Sequence, residues 1–349
     1  MHRNSRGFTL IEIMVATAVF AIFMIGILNL LDTSTKVSVL ETSLADTQEN
    51  VRFAAYHIMR TARMMGSSLI PFADDSTGTA IWAAGELASN VDDYAVTPFG
   101  TFNALDGSDV LTMRGFFELA PFFIDRTDVL TGPDRVVVRE SDAGRVINRG
   151  FDLVQVSGLE GRGLFMMGNL DQGEYVIGQI DSGSAFSGTA PDRTLSIPFV
   201  AGSSQWSDLN RSGVSVPPTF SSYRVGVFET YTYYVDRDRV LQRVRADSTG
   251  ATAQPVAINI GSLQIALGVD TNNDSQIDAW MNAPTAADLA GNRVLGMQVT
   301  ILGRTNRIVA DWWEPATTFQ VADLDINDVN RATKWRTIQI EAALRNYLF

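Results

Sequence analysis

The chain has 349 residues, 46% of them hydrophobic and 19% charged, a balance that supplies a sizeable core for one or two domains and excludes a disordered chain. It contains no cysteine, which excludes a disulfide framework, thiolate chemistry and cysteine-ligated metal. A formal net charge of −12 opposes binding of the body to a phosphate backbone, so nucleic acid is not expected as the main ligand.

The N-terminus carries Arg3 and Arg6 without a neighbouring acid, then Gly7, then an apolar run from Phe8 to Leu31 whose one charge is Glu12. At about 1.5 Å per helical residue this run spans a bilayer core of roughly 30 Å. The basic end stays cytoplasmic and the bulk of the chain is sent outward. A secretory signal has a shorter apolar core and a small-residue cleavage site after it; here the small residue, Gly7, comes before. A carboxylate placed inside such a helix is costly and calls for a dedicated partner.

The helix is expected to continue beyond the apolar block. Val37, Leu40, Leu44, Val51, Ala55, Ile58, Ala62 and Met65 recur at three- and four-residue steps, with Arg52, Arg60 and Arg63 between them. Gly66, Ser67 and Ser68 supply a stop, and Pro71 confirms it. No proline interrupts Phe8 to Gly66, and Gly26 is the one weak point.

The stretch Pro71 to Gly107 reads as a long loop. Short strands are then expected at Val110–Arg114, Arg135–Arg139, Leu153–Val156, Tyr175–Ile180 and Leu195–Val200, followed by a Gly/Ser/Pro-rich connection from Gly202 to Ser222. The clearest strand patterns come last: Arg224–Val235, Val240–Arg245, Ser262–Gly268, Leu295–Gly303 and Thr337–Leu344. One long helix followed by many strands argues for an α+β roll in which the helix covers an antiparallel sheet.

Asp270, Asn272, Asp274, Gln276 and Asp278 occupy alternate positions in Asp-Thr-Asn-Asn-Asp-Ser-Gln-Ile-Asp. A hard cation such as Ca²⁺ needs side-chain oxygens in that arrangement with one backbone carbonyl, here offered by Gln276. The spacing follows the first nine positions of an EF-hand loop but departs at Ser275, where Gly belongs, and at Met281, where Glu belongs. A calcium-stapled loop between strands is expected, against the plainer reading of an Asx-rich turn. Asp323, Asp325, Asn327 and Asp328 read as a solvated turn. Trp312 and Trp313, beside Glu314 and Pro315, read as buried residues closing a sheet edge, with an exposed recognition knob as the alternative. The histidines are His2 and His57 alone, too few for a His-based triad or zinc site, and no carboxylate pair is singled out, so no enzyme is expected.

The run Gly7-Phe8-Thr9-Leu10-Ile11-Glu12 resembles the class III leader of type IV pilins and type II secretion pseudopilins. The resemblance implies cleavage between Gly7 and Phe8 by a prepilin peptidase, N-methylation of Phe8, and retention of the helix as an assembly domain in which Glu12 pairs with the N-terminal amine of a neighbouring subunit. Tyr231–Val235 with Leu241 and Arg243, Ile260–Asp278, Val294–Arg304, and the closing Ala343, Leu344, Arg345 and Asn346 resemble the C-terminal half of the PilW family of minor pilins. The expected organisation is a leader at 1–7, a transmembrane assembly helix at 8–31, its periplasmic half at 32–66, a loop and β-rich middle insertion at 67–222, and a C-terminal β-sheet subdomain at 223–349. The resemblance implies a minor pilin that initiates or caps a type IV pilus. Its partners would be other minor pilins, the major pilin and the inner-membrane assembly platform. It would sit in the inner membrane before assembly and at the cell surface afterwards. A J-type pseudopilin and a tip adhesin that binds a surface or carbohydrate through the middle insertion remain open as alternatives.

Overall fold

A computed structural model describes residues 9–65, 85–91, 94–96, 100–117, 122–124, 135–139, 164–169, 174–183, 185–188, 194–198, 205–206, 223–247, 250–282, 284, 288, 293–305, 318–321, 324–327 and 334–344. The first element, α1, is one unbroken helix of 56 residues from Leu10 to Met65, about 84 Å long at the standard rise. It starts at a capping box. The Thr9 backbone amide donates to Glu12 Oε2 at 2.9 Å, and the Glu12 amide donates to Thr9 Oγ1 at 3.3 Å. Arg63 lies in the last turn, where a cation complements the helix dipole.

The strands follow in chain order. They are β1 Gly85–Val91, β2 Tyr94–Val96, β3 Gly100–Phe102, β4 Ser108–Gly115, β5 Phe122–Ile124, β6 Arg135–Arg139 and β7 Leu164–Asn169. Next come β8 Glu174–Gln179, β9 Ala185–Ser187, β10 Thr194–Pro198, β11 Gln205–Trp206, β12 Tyr223–Val235, β13 Val240–Asp247 and β14 Gly250–Ile258. The last are β15 Ile260–Asp270, β16 Ala279–Met281, β17 Arg293–Arg304, β18 Thr318–Val321, β19 Leu324–Asn327 and β20 Trp335–Ala343.

The architecture is α+β, with the long helix laid on antiparallel sheets. A four-stranded sheet has the order β16-β15-β17-β20, and α1 packs on β20 and β17. A nine-stranded sheet is built around β12, whose 13 residues pair over the C-terminal half with β4 and β13 and over the N-terminal half with β7 and β5. The two sheets are tied by buried side chains. Ser108 Oγ accepts the Leu263 amide at 3.0 Å, and Asp109 Oδ2 accepts the Ile265 amide at 2.7 Å. These bonds satisfy an edge of β15 that β16 leaves open, since β16 reaches only Leu267–Val269.

The core forms where the helix meets the sheet. Val51, Ala54, Ala55, Ile58, Ala62 and Met65 are fully buried against Leu263, Ile265, Leu267, Val299 and Ile301. Small residues bring the two close: a Cβ added to Gly303 would overlap Val51 Cγ2 and lie 2.8 Å from Thr47 Cγ2. Of the expected stripe, Val37 and Leu44 are only half-buried and the other six are buried.

Three expectations need correction, and one strand, β14, was not anticipated. The segment Pro71 to Gly107 is not structureless, because it contributes β1, β2 and β3; β1 pairs with β4, so its polar sequence GELASNV gains ladder bonds without a hydrophobic alternation. The connection Gly202–Ser222 includes β11, which pairs with β8. Asp325 and Asn327 lie in β19, paired with Gln320 and Thr318, rather than in a turn. Between β13 and β15 the chain makes β14, whose GATAQPVAI carries Gly, Pro and Ala; Pro255 is accommodated where the register slips opposite Leu241 and Gln242. Gly66–Ser68, Pro71, Leu153–Val156, Trp312, Trp313, Asp323 and Asp328 lie outside the described residues.

Candidate functional site

The helix divides into two working lengths. From Leu10 to Thr35 every residue is exposed, including Ile11, Phe20, Ile22 and Phe23, whereas ten residues between Leu40 and Met65 are buried. A bare apolar helix cannot persist in water and belongs in lipid or among other helices. Glu12 sits at its start, and the Thr9 hydroxyl donates to Glu12 Oε2 at 2.9 Å in addition to the backbone bonds of the cap. The carboxylate therefore has partners within its own chain, and a second oxygen left over for another donor. Gly7 and Phe8 lie outside the described residues.

The loop after β15 is a series of nested side-chain-to-backbone turns. Asp270, 1% exposed, accepts the Asn272 amide at 3.3 Å on one oxygen and the Ser275 amide at 2.9 Å on the other. Asn272 Oδ1 accepts the Asp274 amide, and Asp274 Oδ1 accepts the Gln276 amide, each at 2.8 Å. Asn273 and Ser275 take positive φ, the left-handed region that Asn tolerates and Ser seldom enters. The Asn272 side-chain amide donates to Asp274 Oδ2 at 3.2 Å and to Asp278 Oδ1 at 3.3 Å, so it stands between two carboxylates. Thr271 donates its backbone and hydroxyl protons to Asp278 Oδ2, and the backbone bond foremost holds that carboxyl below the usual carboxylate range. Ile277 anchors the loop: its Cδ1 lies where a Cβ on Gly268 or on the paired Gly296 would come within 2.8 Å.

The donor set of three carboxylates, one amide and the Gln276 carbonyl fits a hard cation. Among the described residues, however, no group of three or more His, Cys, Asp or Glu is gathered into a metal-holding cage. Asp278 is turned toward Thr271 and Asn272 fills the space between the acids, so binding would require the Asn272 amide to rotate its oxygen inward.

Residues 2–28 match the family model described as the prokaryotic N-terminal methylation motif, and residues 232–346 match that described as Type IV Pilus-assembly protein W. No curated protein and no solved structure matches the chain. The two matches support a PilW-type pilin, the first over the leader and the start of the helix and the second over the C-terminal third of the chain. The chain is a pilus-related pilin, with a single-pass inner-membrane anchor formed by the exposed half of α1.

The PilW match begins inside β12 and takes in β13 through β20, the sheets that clamp the helix, together with the 270–278 loop. It also includes Tyr233, which sequence reasoning did not single out. The Tyr233 hydroxyl lies 2.9 Å from Thr61 Oγ1 and 3.0 Å from His57 Nδ1, joining the PilW sheet to α1 by a buried polar contact. Burial pushes the Tyr233 phenol up to about 12. Burial foremost, then Arg243 and Arg60, pushes the His57 imidazole below its ordinary value. A histidine four residues before a threonine on the helix, with a tyrosine in a later strand, leaves no periodic signal that could have marked this contact.

Proposed function

We propose that this PilW chain is a minor pilin that assembles with other minor pilins, and with the major pilin, to initiate or cap a type IV pilus. The observation that carries the reading is the joining of two parts in one rigid element. A prepilin-type apolar helix continues without a break into a half clamped by the PilW sheets. Such a continuous helix ties the position of the body to the position of the anchor. On this reading a prepilin peptidase cuts between Gly7 and Phe8, Phe8 is methylated, and the inner-membrane assembly platform receives the chain. Deleting the chain should abolish or sharply reduce surface pili, and restoring it should recover them. Unchanged pili, with a secretion defect instead, would move the chain to a pseudopilin role.

We also propose that Ca²⁺ binds the 270–278 loop through Asp270, Asn272, Asp274, the Gln276 carbonyl and Asp278. The support is the alternation of oxygen donors and the turn series that fixes the loop backbone around Asp270 and Asp274.

A further inference from the structure

The sequence leaves the body a single histidine. The chain has no cysteine and two histidines, His2 in the leader and His57 on the half of α1 that packs on the body. An imidazole ordinarily exchanges its proton between about pH 5 and 8, which no unperturbed carboxylate or guanidinium does. With the basic leader in the cytoplasm, His57 stands on the other side of the membrane, where pH is not held constant.

His57 lies half-buried where α1 meets β12. Its ring meets that of Tyr233 edge-on at 5.7 Å and that of Phe53, one helical turn earlier, at 6.1 Å. The hydrogen bonds around it form a chain. Thr61 Oγ1 donates to the His57 carbonyl at 3.2 Å, which leaves its lone pairs for the Tyr233 proton at 2.9 Å. The Tyr233 oxygen then accepts from His57 Nδ1 at 3.0 Å and from the Arg243 side chain. Neutral His57 therefore carries its proton on Nδ1 and keeps Nε2 free to take a second. Uptake of that second proton breaks none of these bonds and acts through charge alone.

The charges facing the ring are of one sign. Arg60 on α1 and Arg243 on β13 both disfavour a protonated imidazole, and no carboxylate among the described residues offsets them. Arg243 is held in place, over the Tyr231 ring at 4.7 Å and bonded to Gln254 on β14. Glu229, the acid of β12, is committed to Arg245 at 3.0 Å and to the Phe117 amide at 3.2 Å. An imidazolium is thus a third cation in a junction without a counter-charge.

We propose that His57 is a proton-operated latch between the stalk helix and the body: the neutral ring holds the end of α1, His57 to Met65, in place through Tyr233, and the imidazolium releases it. Ile58, Met59, Thr61, Ala62 and Met65, buried in the closed form, come away from the body together. Lower on the helix, Thr47 and Val51 meet Gly303 in a contact that holds no titratable group and stays shut. Acid loosens the top of the stalk without detaching it. The latch does not depend on the place of the chain in a pilus.

The test uses the same scarcity of histidine. In a full-length chain carrying His2→Gln, His57 gives the one imidazole signal in a nuclear magnetic resonance titration in detergent micelles. Its midpoint should lie below the ordinary value near 6.5, and Arg243→Gln should raise it. Hydrogen exchange of the same chain, read as protection relative to the intrinsic rate at each pH, should show the amides from Ile58 to Met65 losing protection between pH 7.5 and 5.5. Those of β15 and β17 should keep theirs. His57→Gln, neutral at every pH and able to bond Tyr233, should abolish the loss. The latch is overturned by a midpoint at or above 6.5, by one that Arg243→Gln does not raise, or by protection unchanged in acid. Loss shared equally by β15 and β17, or loss that persists in His57→Gln, overturns it as well.

Discussion

Thr9 and Glu12 cap each other: the Thr9 amide and hydroxyl both reach Glu12 Oε2 at 2.9 Å, and the Glu12 amide returns to Thr9 Oγ1 at 3.3 Å. The acid closes the first turn of the helix, and on the proposed pilin reading it also offers charge to a neighbour's N-terminal amine. Glu12→Gln keeps an oxygen for the cap and removes the charge, while Thr9→Val keeps the charge and removes the hydroxyl. Glu12→Gln is expected to insert normally and fail to co-purify with partner pilins, and Thr9→Val to assemble. Normal piliation in the Glu12→Gln strain would falsify the charge pairing.

Processing gives a second prediction. Gly7→Val should leave the uncut precursor in the inner membrane, because a side chain there obstructs cleavage. Mass spectrometry of the unaltered chain should find a mature terminus at methylated Phe8; any other terminus refutes this.

Gly303 gives a third, on packing. A Cβ there meets Val51 Cγ2 and Thr47 Cγ2, so Gly303→Ala should push the helix from the sheet and cost about 1–3 kcal/mol. Val51→Ala alone should also destabilise, by leaving a cavity. Together the two should lose less than the sum of the single losses, because one change makes room for the other. Strict additivity in denaturant unfolding would show that the two residues do not meet.

The pH dependence of stability should report His57. Its folded pKa lies below the unfolded value near 6.5, so the unfolded chain takes up its proton first as pH falls. The stability contributed by neutral His57 is present above pH 6.5 and declines as pH drops below it toward the folded pKa. Burial foremost, then the positive charges of Arg243 and Arg60, disfavours the protonated ring, and the Tyr233 hydroxyl lies 3.0 Å from its Nδ1. Melting of the full chain in detergent, compared between pH 7.5 and 5.5, should show a smaller fall for His57→Gln than for the unaltered chain. Equal falls would remove His57 from the account.

Calcium gives the fifth. An ion that binds only the folded loop stabilises by RT ln(1 + [L]/Kd), about 2.7 kcal/mol at a hundredfold excess over Kd. The full chain should melt several degrees higher in millimolar Ca²⁺ than in chelator, and Asp274→Ala should erase the difference. Identical melting of the unaltered chain in both, with no heat of binding, would leave the loop as a turn.

The helix was legible because its signals agree: an apolar run from Phe8 to Leu31, a three-and-four residue stripe beyond it, and no proline from Phe8 to Met65. β12, β15, β17 and β20 were legible because their apolar residues face a core. β1 and β14 were not, since their small and polar residues are held by ladder bonds to β4 and β13, which depend on partners distant in sequence. The oxygen donors of the 270–278 loop could be read from spacing, whereas the insertion of the Asn272 amide between Asp274 and Asp278 is a three-dimensional fact. The His57–Tyr233 contact spans 176 residues and rests on no local pattern.

The seam at Thr47, Val51 and Gly303 has a mechanical consequence. The length of α1 up to Thr35 stands clear of the body, so tension applied to that apolar length enters the body where the helix touches β17, β20, β14 and β4. No disulfide backs up that seam. Close approach at Gly303 distributes the pull over many short-range contacts, each weak and all loaded together. The grip between stalk and head is therefore set by steric fit, and a single added methyl at Gly303 should lower the force at which the two part.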